Sequence, residues 1–207
     1  MRARGPWLVA SSLGLIGFMA LFVPWVTQRH GFAGYGLAVA LYWFAFCLPL
    51  GLFFTRGQRK QLVSWRLNGQ RWVPWAVAGL ALVVLAVTLA RPPAGVTALV
   101  VVLALGAGVI NGPLEELYWR GGYLAQFGAS LPGFALGWVL FVAWHLPLAL
   151  AVGVEYHGGG FALVGGAAGL GLLWAFITWK TRAIGWAMAS HALINMIVFH
   201  ELVATNL

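Results

Sequence analysis

Hydrophobic residues run almost without interruption through seven stretches of this chain, near 7–28, 32–54, 73–90, 95–127, 131–151, 161–179 and 184–200. A bilayer's hydrocarbon core takes about 20 such residues as one helix. Six of the stretches are near that length, and each is expected to cross once. The fourth, reaching back to Ala94, is too long for an ordinary span and is interrupted at Asn111, Gly112 and Pro113, which predicts a helix kinked or broken in two there. The pattern therefore predicts an all-α membrane protein, a polytopic bundle of about seven transmembrane helices, with no soluble domain. The first stretch follows a basic start, as in a signal peptide, but its apolar part is too long and lacks a clear small-residue cleavage site, so it reads as a retained span.

Composition agrees with the pattern, at 62% hydrophobic and 8% charged residues. The net charge of +8 could suggest a nucleic-acid partner, but its placement argues otherwise. The basic residues sit in short connectors, where the lipid bilayer and topology explain them. Arg2, Arg4, the cluster Arg56, Arg59, Lys60, Arg66 and Arg71, and the pair Lys180 and Arg182 all fall on one side if the chain crosses seven times. Only Arg29 and Arg91 fall opposite. The expectation is a cytoplasmic N-terminus and an extracytoplasmic C-terminus. Trp7, Trp25, Trp72, Trp75, Trp179 and Trp186 lie near span ends, as an interfacial belt would. Cys47, the one cysteine, lies in an apolar run and reads as packing. Gly165 and Gly169 form a small-residue face on the sixth span, read as a packing surface for another helix.

Against this background the polar residues stand out. The chain has four acidic residues, and two of them, Glu115 and Glu116, are neighbours in the stretch NGPLEELYWRGG. Counted from Phe127 at 1.5 Å per residue, Glu115 is roughly 18 Å deep; similar counts put His145 roughly 21 Å, His191 roughly 12 Å and Asn195 roughly 18 Å into their own spans. Glu116 and Arg120, Phe141 and His145, and His191 and Asn195 are each four apart and share a helix face. Ionisable groups at such depth face the bundle interior and mark functional sites. Glu116 with Arg120 reads first as an ion pair that shapes a cavity wall. Glu115, with no local cation, is the candidate for chemistry. A glutamate and a histidine flanking one water make a general-base arrangement, and a second histidine with an asparagine amide can stabilise an oxyanion.

The ordered series EExxxR (Glu115, Glu116, Arg120), FxxxH (Phe141, His145) and HxxxN (His191, Asn195) resembles the CPBP family, which unites type II CAAX prenyl endopeptidases and the Abi membrane proteases. The resemblance covers roughly residues 95–200. It divides the chain into N-terminal transmembrane helices over 1–94 and a catalytic helical core over 95–207, within one compact bundle. It implies an intramembrane endopeptidase acting on a membrane-associated peptide or protein. Glu115 and His145 would activate water, His191 and Asn195 would hold the oxyanion, and Glu116, Arg120 and Phe141 would support the site. No cofactor is favoured. Zinc is the alternative that the family's older description as metalloproteases carries, although the HExxH helix is absent. Trp119 stands where phenylalanine is frequent in the family. Two other readings remain at this stage: a non-catalytic scaffold or regulator of the same fold, and a small transporter using its carboxylates as proton relays.

Overall fold

A computed structural model describes residues 4–90 and 95–207. Arg2, Arg91 and the expected boundary at Ala94 lie outside the described residues.

The first two expected spans follow one another in a single element, α1 (Gly5–Phe54), 50 residues long. A straight helix of that length would measure about 75 Å, more than twice the hydrocarbon thickness. It folds back instead at Gly31, whose φ of 53° and ψ of −136° leave the helical region. Such a conformation suits only glycine. The two arms, residues 5–30 and 32–54, then run antiparallel. The rings of Phe18 and Phe46 come within 5.9 Å, and the Arg4 guanidinium lies 4.7 Å from the Phe53 ring centre. Gly34 sits so near the Val26 carbonyl that a Cβ would collide with it. Counting the arms separately restores the seven crossings that the hydrophobic pattern predicts.

After α1 comes a short helix, α2 (Arg59–Leu62), in the basic connector. This connector is strapped to the turn between the last two helices: Ile184 N donates to the Leu62 carbonyl at 2.8 Å, Asn68 Nδ2 to Thr181 at 3.2 Å, and Trp186 Nε1 to Trp65 at 3.1 Å. The connector's five basic residues and Lys180, Arg182 and Arg4 therefore share one end of the bundle. Helix α3 (Val73–Ala90) buries only Val73 and Val77 and leaves most of its surface facing outward.

Helix α4 (Ala98–Phe127) begins where the Thr97 side chain accepts from Val100 N at 3.3 Å. The expected interruption takes a different form. The helix continues through Pro113, and the irregularity is a π-helical turn over Glu116–Gly122, starting three residues later. A π turn widens the helix locally and re-aims side chains, which is why such turns recur at functional sites. All seven of its residues are buried.

Helices α5 (Leu131–Ala149), α6 (Gly159–Thr181) and α7 (Gly185–Asn206) complete the bundle. The seventh extends past the expected 200, so His200 and Glu201 lie within the helix. Glu201 pairs with His157 of the α5–α6 loop at 2.6 Å, in a solvent-reachable position.

The small-residue interface also differs from expectation. Among the described residues nothing lies within 4 Å of a Cβ placed on Gly165 or Gly169. Close packing occurs between α4 and α7 instead. A Cβ on Gly112 would run into the backbone of Ala192, and one on Gly108 into that of Met196. Two glycines four apart on α4 thus meet two residues four apart on α7, the arrangement that lets helix backbones approach in lipid.

Candidate active site

The site grows from one turn of α4. Asn111 and Glu115 are one turn apart, and Asn111 Nδ2 donates to Glu115 Oε2 at 3.2 Å. The asparagine is itself oriented: the Trp43 indole N–H, from the second arm of α1, donates to its Oδ1, which turns the amide nitrogen toward the glutamate. The other carboxylate oxygen, Glu115 Oε1, accepts from Trp144 Nε1 on α5 at 3.1 Å. Trp144 is held in turn by stacking on Tyr42 at 3.7 Å between ring centres, and the Tyr42 hydroxyl accepts from Trp119 Nε1 at 2.7 Å. Glu115 is thus fixed at both oxygens while only 2% exposed.

Glu116 faces another way and is fully buried. Its Oε1 lies 3.2 Å from Arg120 Nη1 and 2.9 Å from His191 Nδ1. Arg120 spans to α6, where its Nη2 donates to the Gly171 carbonyl at 2.9 Å, and the Phe141 ring centre is 3.8 Å from its guanidinium carbon. Removing a buried charge from water is costly, and pairing, a carbonyl and an aromatic face together offset that cost.

His191 on α7 joins the two glutamates. Its Nδ1 meets Glu116, while Nε2 lies 3.5 Å from Glu115 Oε2. The ring is stacked on Trp174 at 3.7 Å, and the Trp174 N–H donates to Ser190 at 3.1 Å, so the imidazole plane is fixed. With one proton, on Nδ1, the ring presents Nε2 to Glu115 as an acceptor; with two, it carries a positive charge between two carboxylates. Asn195 follows one turn later, 7% exposed, and its Nδ2 has no hydrogen-bond partner among the described residues. His145 on α5 is half-buried. Its Nδ1–H donates to the Phe141 carbonyl at 2.9 Å, which leaves Nε2 as the free nitrogen, and its ring meets Phe141 at 4.7 Å.

Glu115, Glu116, Arg120 and His191 therefore form one directly connected network. Phe141 lies against it, with His145 and Asn195 at its margin. Sequence reasoning missed four groups that hold it together: Asn111, Trp43, Trp144 and Trp174. Asn111 carried a signal, since it precedes Glu115 by one helical turn. The tryptophans carried none, because an indole in an apolar run reads as packing.

Among the described residues no three His, Cys, Asp or Glu side chains are grouped as ligands for a metal ion. A zinc site needs at least three protein ligands directed at one point.

Residues 96–197, about half of the chain, match the family "Type II CAAX prenyl endopeptidase Rce1-like". The chain belongs to this family. The matched segment runs from the start of α4 to just past Asn195 and holds every residue of the three sequence motifs. Family membership and the apolar helices make the chain a multi-pass membrane protein of the CPBP intramembrane endopeptidases. Trp43 and Tyr42, which support the Glu115 side of the site, lie outside the matched segment. No curated protein and no solved structure matches the chain.

Proposed function

We propose that the chain hydrolyses a peptide bond of a membrane-associated peptide or protein by a glutamate-activated water. Glu115 takes a proton from water held between it and His145 Nε2, and the resulting hydroxide adds to the scissile carbonyl. The tetrahedral oxyanion accepts from Asn195 Nδ2 and from Nε2–H of His191 in its doubly protonated form. Collapse of the intermediate breaks the C–N bond as Glu115 returns its proton to the leaving nitrogen. Glu116 and Arg120 fix His191 and the cavity wall, and the basic end of the bundle faces the cytoplasm.

The observation that carries this reading is the placement of Glu115. A carboxylate 2% exposed, with a donor fixed on each oxygen and a histidine nitrogen 3.5 Å away, is pre-organised at a cost that packing alone does not require. The free donor of Asn195 supports the oxyanion role.

The test incubates the purified protein, reconstituted in vesicles, with membrane-associated proteins and labels the new N-termini formed. New termini are expected with the wild type and not with Glu115→Gln, and a chelator is expected to leave them unchanged. If the wild type forms none, the endopeptidase reading falls and a regulatory role takes its place. Activity lost to the chelator and restored by zinc overturns the glutamate mechanism alone.

A further inference from the structure

The π turn of α4 is gripped by α1, through residues that the family match does not reach. Ser12, on the first arm and fully buried, sits at a junction of hydroxyls. Its Oγ donates to the Leu8 carbonyl at 2.9 Å and lies 3.0 Å from the Tyr118 hydroxyl and 2.8 Å from that of Tyr123. A serine hydroxyl has one proton and two lone pairs. With the proton on Leu8, the lone pairs accept from the two tyrosines, one each, and the side chain is saturated. Ser11, the neighbour, touches the Tyr118 hydroxyl alone, at 3.1 Å.

Tyr118 and Tyr123 are five residues apart. In an α-helix that spacing sets side chains about 140° apart around the axis, so they diverge. A turn closed by i→i+5 hydrogen bonds brings residues five apart onto nearly one face, as an α-turn does for residues four apart. Tyr118 lies inside the π turn and Tyr123 directly follows it. One serine therefore meets both hydroxyls only while the helix keeps this turn. The second arm of α1 closes in from its own side. A Cβ on Gly51 would come within 2.9 Å of Leu117 Cγ and 3.3 Å of the Tyr118 backbone nitrogen, so glycine there leaves room for the widened turn.

Between the two tyrosines lie Trp119 and Arg120. Trp119 donates to Tyr42, whose ring stacks on Trp144, the donor to Glu115 Oε1. Arg120 reaches both Glu116 and the Gly171 carbonyl. If the turn relaxed to an α-helix, everything after it would rotate by about 100° and shift by about 1.5 Å relative to Glu115. We propose that the α1 hairpin is the mould of the π turn, with Ser12, Tyr118 and Tyr123 as positioning residues: the shared hydroxyl holds the turn, and the turn aims Trp119 and Arg120 so that both glutamates stay in register. The effect on turnover rests on the protease reading; the effect on the turn does not.

The experiment uses the full chain in lipid nanodiscs with 5-fluorotryptophan incorporated. The Trp119 fluorine resonance, assigned by its loss in Trp119→Phe, reports the turn, and that of Trp186, at the α6–α7 turn, is the reference. Kinetics use a quenched fluorescent peptide spanning a cleavage site mapped with the wild type. Ser12→Ala removes the junction. The double variant Tyr118→Phe/Tyr123→Phe removes both hydroxyls, keeps both rings, and decides the matter if Ser12→Ala fails to fold. In each, kcat is expected to fall at least about tenfold with KM within about twofold, as for a misaligned site that still binds its substrate. The Trp119 resonance is expected to move or broaden while that of Trp186 stays. Ser11→Ala, which leaves the junction whole, is expected to change neither, and a loss equal to that of Ser12→Ala overturns Ser12 as the joint. An unchanged Trp119 resonance overturns the mould whether or not the wild type cleaves anything. An unchanged kcat, or a rise in KM at constant kcat, overturns the positioning role. If the wild type forms no new termini, the protease reading falls, and a moved Trp119 resonance still supports the mould.

Discussion

Trp144 on α5 donates its indole N–H to Oε1 of Glu115 on α4 at 3.1 Å, in a region where no bulk water competes for either group. Asn111 occupies the other oxygen. The geometry of the candidate base is therefore set by one donor from its own helix and one from α5, and removing either should affect turnover before it affects binding. Trp144→Phe, which keeps the stacking on Tyr42, is expected to lower kcat about 10- to 100-fold with KM little changed, as for a lost hydrogen bond to a charged group. Asn111→Leu should act the same way. A rise in KM at constant kcat would show that these groups bind substrate instead of positioning the base.

Glu115→Gln retains the shape of the side chain but cannot take a proton from water. Proteolysis is expected to fall about 10²- to 10⁴-fold, while the protein accumulates in membranes as the wild type does. Full activity in this variant would remove Glu115 from the chemistry.

Glu116 and Arg120 are buried together, so each strands a charge when the other is lost. Glu116→Gln and Arg120→Gln are expected to reduce folded yield as well as activity, with destabilisation on the order of 3–5 kcal/mol. Glu116→Gln also weakens the anchor on His191 Nδ1. Normal yield with only turnover lost would place Glu116 among the catalytic groups.

The two glycine pairs make opposite predictions. Gly112→Leu drives a side chain into the Ala192 backbone and should reduce folded yield by at least the 1–3 kcal/mol usual for overpacking, and should displace His191, one residue away on α7. Gly169→Leu points at open space and should leave thermal stability in detergent nearly unchanged. Loss of folding in the second variant would indicate that another chain packs on that face.

Arg4, the basic connector and the Lys180–Arg182 turn share one end of the bundle, and the loop around Glu155 is at the other. A cysteine introduced at Gly57 is expected to react with an impermeant thiol reagent only from the cytoplasmic side, and one at Gly153 only from the opposite side. Cys47, fully buried, should stay silent in both. Reversed labelling would invert the topology.

The bundle and the core of the site were legible in the sequence because the bilayer leaves the chain few choices. Apolar runs of span length must become helices, and a charge inside one must face inward, so EExxxR, FxxxH and HxxxN could be assigned to one interior from spacing alone. Depth and face are properties of a single helix, and a single helix is what a sequence pattern describes. Contacts between helices are different. The reversal between the first two spans was expected near 28–32, but that Gly31 makes it through a positive φ was not, and the π turn at Glu116–Gly122 depends on what surrounds α4. The packing partner of α7 proved to be Gly108 and Gly112, while Gly165 and Gly169, equally suited by composition, face outward. Lipid solvates either face, so only the fit of the assembled bundle chooses between them. The donors on Glu115 come from α4 and α5, and the indole that orients Asn111 comes from α1; Trp43 and Trp144 became hydrogen-bond donors to this site only when tertiary structure put an amide and a carboxylate in their reach.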